Sequence, residues 1–137
     1  MAFERAKRIR FSHCDPAGIV FYPRYAELFN EVVEDWFAEG IGIGFRTLME
    51  EHRLGLPVVR LEADFRTPAR FGDTLTFRLA VAAIGKTSVQ LRIEGMRNET
   101  LCVRAELTIV LISMNNFQAV PIDESWRGRF AAFQAET

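Results

Sequence analysis

The fold is decided by the stretch His13-Cys14-Asp15-Pro16-Ala17-Gly18-Ile19-Val20-Phe21-Tyr22-Pro23, which leads directly into a segment with helical periodicity. It places one carboxylate, that of Asp15, on a loop bent by proline and glycine. The first backbone N–H groups of a helix have no partner within the helix, and they attract negative charge. Acyl transfer needs a nucleophile or base and a stabiliser for the oxyanion. A carboxylate that faces a helix start supplies the first, and the free N–H groups of the helix supply the second.

Apolar residues after this stretch recur with the period of one helix face. They fall at i, i+3, i+4, i+7, i+8, i+11 and i+12: Tyr25, Leu28, Phe29, Val32, Val33, Trp36 and Phe37. Pro23 suits the first helical position and Gly40 suits the end. The spacing therefore predicts one long, largely buried helix from Pro23 to Gly40.

The other segments alternate with a period of two, which is typical of strands. A first strand is predicted over 3–11, and four more over 59–67, 75–83, 89–93 and 101–111. Short connections between the last four predict an antiparallel meander. A short helix over 45–52 and a C-terminal helix over 123–136 complete an α+β domain, in which one antiparallel sheet wraps the long helix.

Composition narrows the class of protein. The 137 residues predict a single domain over 1–137, and the formal charge of −1 argues against a nucleic-acid partner. No apolar run approaches the ~20 residues of a membrane span, and residues 1–10 show no apolar secretory segment. Two cysteines do not make a disulfide framework. We therefore expect a cytoplasmic protein with no membrane partner.

The run Asp15-Pro16-Ala17-Gly18-Ile19-Val20-Phe21-Tyr22-Pro23, followed after one residue by Tyr25, resembles the signature of the 4-hydroxybenzoyl-CoA thioesterase family. The strand order and the later run Lys86-Thr87-Ser88-Val89-Gln90 extend the resemblance over most of the chain. The resemblance implies a hot-dog fold and hydrolysis of an acyl-CoA thioester. It also implies homodimers that assemble into homotetramers.

The resemblance also assigns roles to individual residues. Asp15 matches the catalytic carboxylate, and Tyr22 matches the residue whose backbone N–H polarises the thioester carbonyl. Asn30 stands where a member that recognises a phenol would carry Asp, although an amide can also bond a hydroxyl. The predicted substrate-binding residues are His13, Gly18, Asn30, Val59, Lys86 and Ser88.

Basic residues are expected to hold the phosphates of coenzyme A. Lys86 lies in the region where family members present such residues. Further candidates, which the sequence does not rank, are Arg60, Arg66, Arg70 and Arg92.

Two mechanisms stay open for Asp15. The carboxylate could attack the thioester and form a mixed anhydride, or act as a general base on water. Neither requires a metal ion or a redox cofactor. The phenylalanine and tyrosine content favours an aromatic acyl group (benzoyl- or 4-hydroxybenzoyl-like) or a short one.

Less demanding interpretations stand beside these. Asp15 could simply open a turn or cap the helix. A nucleophilic Cys14 activated by His13 lacks a third orienting group, and His13 with His52 lacks metal-ligand spacing. The rival functions are a hot-dog hydratase or dehydratase acting on an acyl thioester, and a non-catalytic acyl-CoA-binding module.

Overall fold

The apolar stripe after Asp15 forms the central helix of the structure, a computed structural model that describes residues 1–135. The helices are α1 (Tyr22–Asp35), α2 (Phe45–Glu50) and α3 (Glu124–Ala131). The strands are β1 (Phe3–Arg8), β2 (Leu54–Gly55), β3 (Val58–Phe65), β4 (Thr74–Ile84), β5 (Ser88–Arg97), β6 (Thr100–Val110) and β7 (Ile112–Ser113). The predicted order of strand, long helix, four strands and helix is confirmed, and the pair β2–β7 is an addition.

The main sheet is antiparallel, with the strand order β1-β4-β5-β6-β3. The meander prediction is correct for β4, β5 and β6 and wrong for β3, which pairs with β6 instead of β4. The connection over 66–73 is longer than a hairpin loop of 2–5 residues, so it can carry the chain across the sheet. The position beside β4 is taken by β1.

The buried face of α1 is the predicted one. Its buried residues are Tyr25, Leu28, Phe29, Val32 and Val33. They share one core with the inward residues of β4, β5 and β6, so the sheet covers the helix as a hot-dog fold requires.

The end of the long helix differs from the prediction. The chain continues past α1 as a wider π-helical segment, Trp36–Ile41, and stops at Gly42 in the left-handed conformation with φ 88°. Gly40 instead serves close packing, since a Cβ there would lie 2.8 Å from Cδ1 of Trp36. Pro23 is the second residue of α1, where its missing N–H is equally harmless.

The remaining boundaries move by a few residues. The first strand ends at Arg8, because residues Phe11–His13 form a 3-10 turn. The short helix ends at Glu50. The C-terminal helix begins where predicted, with Asp123 accepting a hydrogen bond from the Trp126 amide at 2.9 Å, and it ends at Ala131. The predicted end, Glu136, lies outside the described residues.

The apolar side chains of β3 are largely not buried within the chain. Val59 is 61% exposed, and Leu61 and Phe65 are also exposed. β3 is an edge strand, so its inner side pairs with β6 while its outer side pairs with no strand in residues 1–135. No helix within those residues is long and apolar enough to cross a membrane.

Candidate active site

The loop that carries Asp15 is closed by backbone hydrogen bonds. The Asp15 amide donates to the Ile19 carbonyl at 3.1 Å, and the Gly18 amide donates to the Asp15 carbonyl at 2.9 Å. Gly18 has φ 77°, a conformation that glycine adopts without steric cost. The Phe21 amide donates to the His13 carbonyl at 2.9 Å, which ties the loop to the start of α1.

Asp15 uses only half of its carboxylate to hold this turn. Oδ1 accepts a hydrogen bond from the Ala17 amide at 2.9 Å, an Asx turn. Oδ2 has no hydrogen-bond partner among the described residues. The turn-residue interpretation of Asp15 is therefore correct for one oxygen, while the other remains available for chemistry.

The start of α1 offers a free amide at Tyr22. Pro23 has no N–H, and the Arg24 amide donates back to the Phe21 carbonyl at 2.8 Å. Phe21, at the N-cap, provides no side-chain cap. The Tyr22 N–H has no acceptor in residues 1–135, so it is a first-turn donor available to a ligand.

Asp15 and Tyr22 line one cavity of 490 Å³ between the loop, the start of α1 and the end of β3. Its aromatic wall is built from Phe21, Tyr22, Tyr25 and Phe65. The ring centroids of Tyr22 and Phe65 lie 6.3 Å apart, and those of Tyr25 and Phe65 lie 5.7 Å apart. A flat apolar group would fit this wall beside the carboxylate.

The base of the cavity holds groups that stay uncharged near neutral pH. Burial raises the pKa of the Tyr25 hydroxyl and the pKa of the Cys102 thiol above their usual ranges. Asp73 lies nearby, and its pKa is lowered by the Arg70 backbone N–H and by the Arg97 guanidinium, which lies 3.0 Å from Oδ2. The negative charge available at the cavity itself therefore belongs to Asp15.

An apolar pocket of Phe21, Tyr22 and Tyr25 around Asp15 was expected from the sequence, and all three line the cavity. Phe65 and Cys102, which come from β3 and β6, were not predicted as site residues. No local motif marks them, because only the tertiary pairing of β3 with β6 brings them to Asp15.

His13 and Cys14 are engaged in the turn before Asp15. Nδ1 of His13 accepts a hydrogen bond from the Arg10 amide at 2.8 Å, and Sγ of Cys14 lies 3.5 Å from the Arg10 carbonyl oxygen. Burial and the neighbouring Asp15 charge raise the pKa of the Cys14 thiol, which disfavours a thiolate nucleophile. His13 does not line the Asp15 cavity.

The second histidine is equally remote from any metal-binding arrangement. His52 packs its ring edge-on against Trp126, with centroids 5.9 Å apart. In the part of the chain that the structure describes, no group of three or more His, Cys, Asp or Glu residues could hold a metal ion.

Lys86 and Ser88 lie at the other end of the sheet. The Asp15 loop contacts the residues before β4, since the Val20 amide donates to the Ala69 carbonyl at 2.9 Å. Lys86 follows β4 and is exposed, and Ser88 begins β5. The 11 residues of β4, at about 3.3 Å each, keep both away from the Asp15 of their own protomer.

Asn30 lines a second cavity, a groove of 610 Å³ between α1, α2, β3 and β6. It is the one polar side chain in an otherwise apolar lining. A rise of about 1.5 Å per residue places it about 12 Å along the helix from Tyr22. Val59 lies on the exposed edge strand and does not line this groove.

Comparison with known proteins identifies the family of this chain and several relatives. A model of the thioesterase-like superfamily matches residues 9–130. A 1,4-dihydroxy-2-naphthoyl-CoA hydrolase of Acaryochloris marina (strain MBIC 11017) is 26% identical over 119 residues, covering 85% of this chain and 86% of the relative. A 4-hydroxybenzoyl-CoA thioesterase of Pseudomonas sp. (strain CBS-3) is 33% identical over 76 residues, covering 55% of this chain and 54% of the relative.

A solved structure of 4-hydroxybenzoyl-CoA thioesterase from Pseudomonas sp. strain CBS-3 has the same fold. It superposes with a TM-score of 0.85 at 25% identity, covering 93% of this chain and 98% of that chain. The predicted hot-dog architecture is thereby confirmed.

Proposed function

Because this chain belongs to the thioesterase-like superfamily, we propose that it hydrolyses an aromatic acyl-CoA thioester to the free acid and coenzyme A. The domain over 1–137 acts as one unit in this proposal, in the cytoplasm. Its relatives' names support the substrate class, since they refer to naphthoyl- and benzoyl-CoA esters.

One observation carries the proposal. A carboxylate oxygen of Asp15 and the amide of Tyr22, both without partners among the described residues, belong to residues that line the same aromatic-walled cavity. An anionic oxygen and a hydrogen-bond donor are the two groups that act on opposite atoms of a thioester C=O.

The chemistry follows from these two groups. Oδ2 of Asp15 attacks the carbonyl carbon while the Tyr22 N–H holds the carbonyl oxygen; the C–S bond breaks and the thiolate of CoA leaves with the bonding electrons. Water then cleaves the resulting mixed anhydride. In the alternative route, Asp15 takes a proton from a water molecule, which attacks the same carbon and expels the same thiolate.

The aromatic wall supports a flat acyl group. Phe21, Tyr22, Tyr25 and Phe65 present ring faces and edges, and offset or edge-on ring contacts stabilise a further aromatic ring. A benzoyl- or hydroxybenzoyl-like ring is therefore favoured over a long alkyl chain.

We propose in addition that a second copy covers β3, giving a homodimer, and that two dimers form a homotetramer. An antiparallel pairing of two β3 strands centred on Leu61 would set Arg60 opposite the partner's Glu62. Such pairing covers the exposed edge strand and satisfies its free backbone groups. The resemblance to a dimeric family supports the same arrangement.

This dimer accounts for predicted substrate residues that lie far from Asp15 in one protomer. Lys86 and Ser88, from the opposite end of the sheet, can approach the active site of a neighbouring copy because the pairing is antiparallel. The same holds for Asn30 and Val59, which face or adjoin the covered edge. We propose that Gly18 acts by shaping the Asp15 loop, and that His13, with its Nδ1 engaged, contributes only from the cavity rim.

A panel of CoA esters tests the proposed reaction. We expect thiol release to be faster from benzoyl- and 4-hydroxybenzoyl-CoA than from decanoyl-CoA. Binding of these esters without thiol release would support the acyl-CoA-binding module instead. Loss of conjugated-thioester absorbance on an enoyl-CoA would support the hydratase.

The assembly has its own test. Leu61→Glu places two carboxylates opposite each other at the proposed dimer axis, and we expect light scattering to show a loss of mass together with reduced turnover. Thr76→Glu, on an exposed position of β4, is the matched control. Unchanged mass in Leu61→Glu would contradict the β3 dimer.

A further inference from the structure

Two phenylalanine rings are exposed beside the Asp15 loop without a role in the proposed reaction. Phe11 is 76% exposed and Phe71 is 58% exposed, and their centroids lie 5.7 Å apart at an interplanar angle of 57°. Exposed apolar groups that cluster mark binding surfaces more often than single exposed residues do. The two rings are therefore a candidate contact for a ligand with an apolar face.

Two arginines adjoin this aromatic pair. Arg8 and Arg10 are exposed on either side of the fully buried Ile9, so the alternation places both on the same side of the chain. Neither forms an ion pair within residues 1–135. By contrast, Arg5 and Lys7 on the same strand both pair with carboxylates of α1. The end of β1 and the two residues after it thus carry two positive charges that no carboxylate compensates within residues 1–135.

These four residues form a concave site together with Ser12. They line a cleft of 480 Å³, hereafter the Arg8–Phe71 cleft, which has no acidic residue in its lining: Arg8, Arg10, Phe11, Ser12 and Phe71. The site combines the rings of two phenylalanines with the guanidinium groups of two arginines. A ligand with a planar base and phosphate groups suits that combination, because the base can stack on a ring and the phosphates can bind the guanidinium groups.

The cleft is joined to the Asp15 loop by backbone hydrogen bonds. The Phe71 amide donates to the Gly18 carbonyl at 2.9 Å, and the Cys14 amide donates to the Phe11 carbonyl at 3.0 Å. The cleft and the Asp15 cavity therefore adjoin the same loop of the same protomer.

We propose that the Arg8–Phe71 cleft binds the nucleotide end of the CoA substrate, with the adenine stacked on Phe11 or Phe71 and phosphates bound by Arg8 and Arg10. The choice of CoA as the source of the nucleotide rests on the proposed function. The guanidinium groups can each bind phosphate oxygens through two parallel N–H donors, which an exposed lysine cannot do.

This assignment differs from the one centred on Lys86. Lys86 reaches the site only from a second copy, whereas the cleft belongs to the protomer that carries Asp15. Among the other arginines considered for the phosphates, Arg60 and Arg92 are engaged with Glu62 and Glu106. Arg66 lines the Asp15 cavity itself, and Arg70 precedes Phe71 without lining the cleft. We therefore expect the cleft to supply more of the nucleotide affinity than Lys86 does.

The kinetic test compares two thioesters of one acid, benzoyl-CoA and S-benzoyl-N-acetylcysteamine, the second of which lacks the nucleotide. Arg8→Ala/Arg10→Ala should lower kcat/KM for benzoyl-CoA by about tenfold or more, mainly through KM, and leave the short thioester unchanged. Lys86→Ala should have the smaller effect. Arg46→Ala/Arg78→Ala removes two exposed cations elsewhere and controls for net charge.

A binding measurement makes the inference independent of turnover. Wild-type protein should bind adenosine 3′,5′-bisphosphate in calorimetry, and Phe11→Ser/Phe71→Ser should weaken this binding about tenfold through loss of stacking.

The outcomes separate the two proposals. If the nucleotide binds but no CoA ester is hydrolysed, the proposed function is wrong and the cleft assignment stands. If benzoyl-CoA is hydrolysed but the cleft variants change neither affinity nor KM, the assignment is overturned while the function stands. A change of oligomeric mass in the phenylalanine variant without a change in nucleotide affinity would also overturn it, because the cleft would then be a protein interface.

Discussion

Replacing the Asp15 carboxylate by an amide tests the central chemical claim directly. In Asp15→Asn the side-chain oxygen can keep the 2.9 Å hydrogen bond from the Ala17 amide, so the turn should survive. What disappears is the negative charge on the oxygen that has no partner in residues 1–135. The variant therefore keeps the hydrogen bond that stabilises the turn and removes the charge that the reaction requires.

The expected loss can be bounded. A positioned general base contributes about 10²–10⁴ in rate, whereas the Tyr22 amide remains to stabilise the oxyanion. We expect kcat for benzoyl-CoA to fall by at least about 10²-fold with little change in KM. Stability should change by less than about 0.5 kcal/mol, because no buried contact is lost.

The assay is continuous detection of released CoA thiol, with Tm measured on the same preparations. Asp123→Asn is a matched control, because Asp123 also accepts one backbone N–H at 2.9 Å and asparagine caps a helix equally well. A purified Asp15→Asn protein that keeps more than about a tenth of wild-type kcat would refute the assignment of Asp15.

Three further expectations rest on particular contacts. Gly18→Ala, at φ 77°, should lower both stability and kcat. Gly42→Ala, at φ 88° and equally free of steric contacts, should lower stability alone. Equal kcat values in the two variants would contradict the role of the Asp15 loop. Phe29→Ala should cost about 3–5 kcal/mol in urea unfolding, because Phe29 is 1% exposed and packs against other rings. Because the pKa of Asp73 is lowered in the folded state, its contribution is present above about pH 4 and is lost as pH falls. Asp73→Asn should therefore lower Tm at pH 7 and flatten the decline of Tm in acid, and a wild-type-like acid transition would count against the Asp73–Arg97 pair.

Local sequence patterns were sufficient to predict the long helix and the Asp15 loop. The spacing from Tyr25 to Phe37 reports which face of a helix is buried, and that face is indeed buried. The Asp15 turn is equally local, since its hydrogen bonds span only a few residues. Such features depend on neighbours in the chain, which a single sequence displays.

Other features depend on which segments pair or pack with each other in the fold, and the sequence alone does not specify this. The pairing of β3 with β6 required a choice between strands with similar alternation, and this choice decides that Phe65 and Cys102 meet Asp15. The stop at Gly42 instead of Gly40 depends on how closely Trp36 packs, which is a tertiary contact. The wall of the cavity could therefore be predicted less well than its carboxylate.

Pro23 has a consequence for how the enzyme clears its product. Since proline offers no N–H and the Arg24 amide is engaged with the Phe21 carbonyl, the first residue of α1, Tyr22, presents its amide to an incoming oxygen. A neutral thioester needs only one such donor. The benzoate-like anion formed by hydrolysis shares one negative charge between two oxygens, and it is repelled by the Asp15 carboxylate. The acid should consequently be a weak competitive inhibitor, and release of the spent acyl group should not limit the cycle.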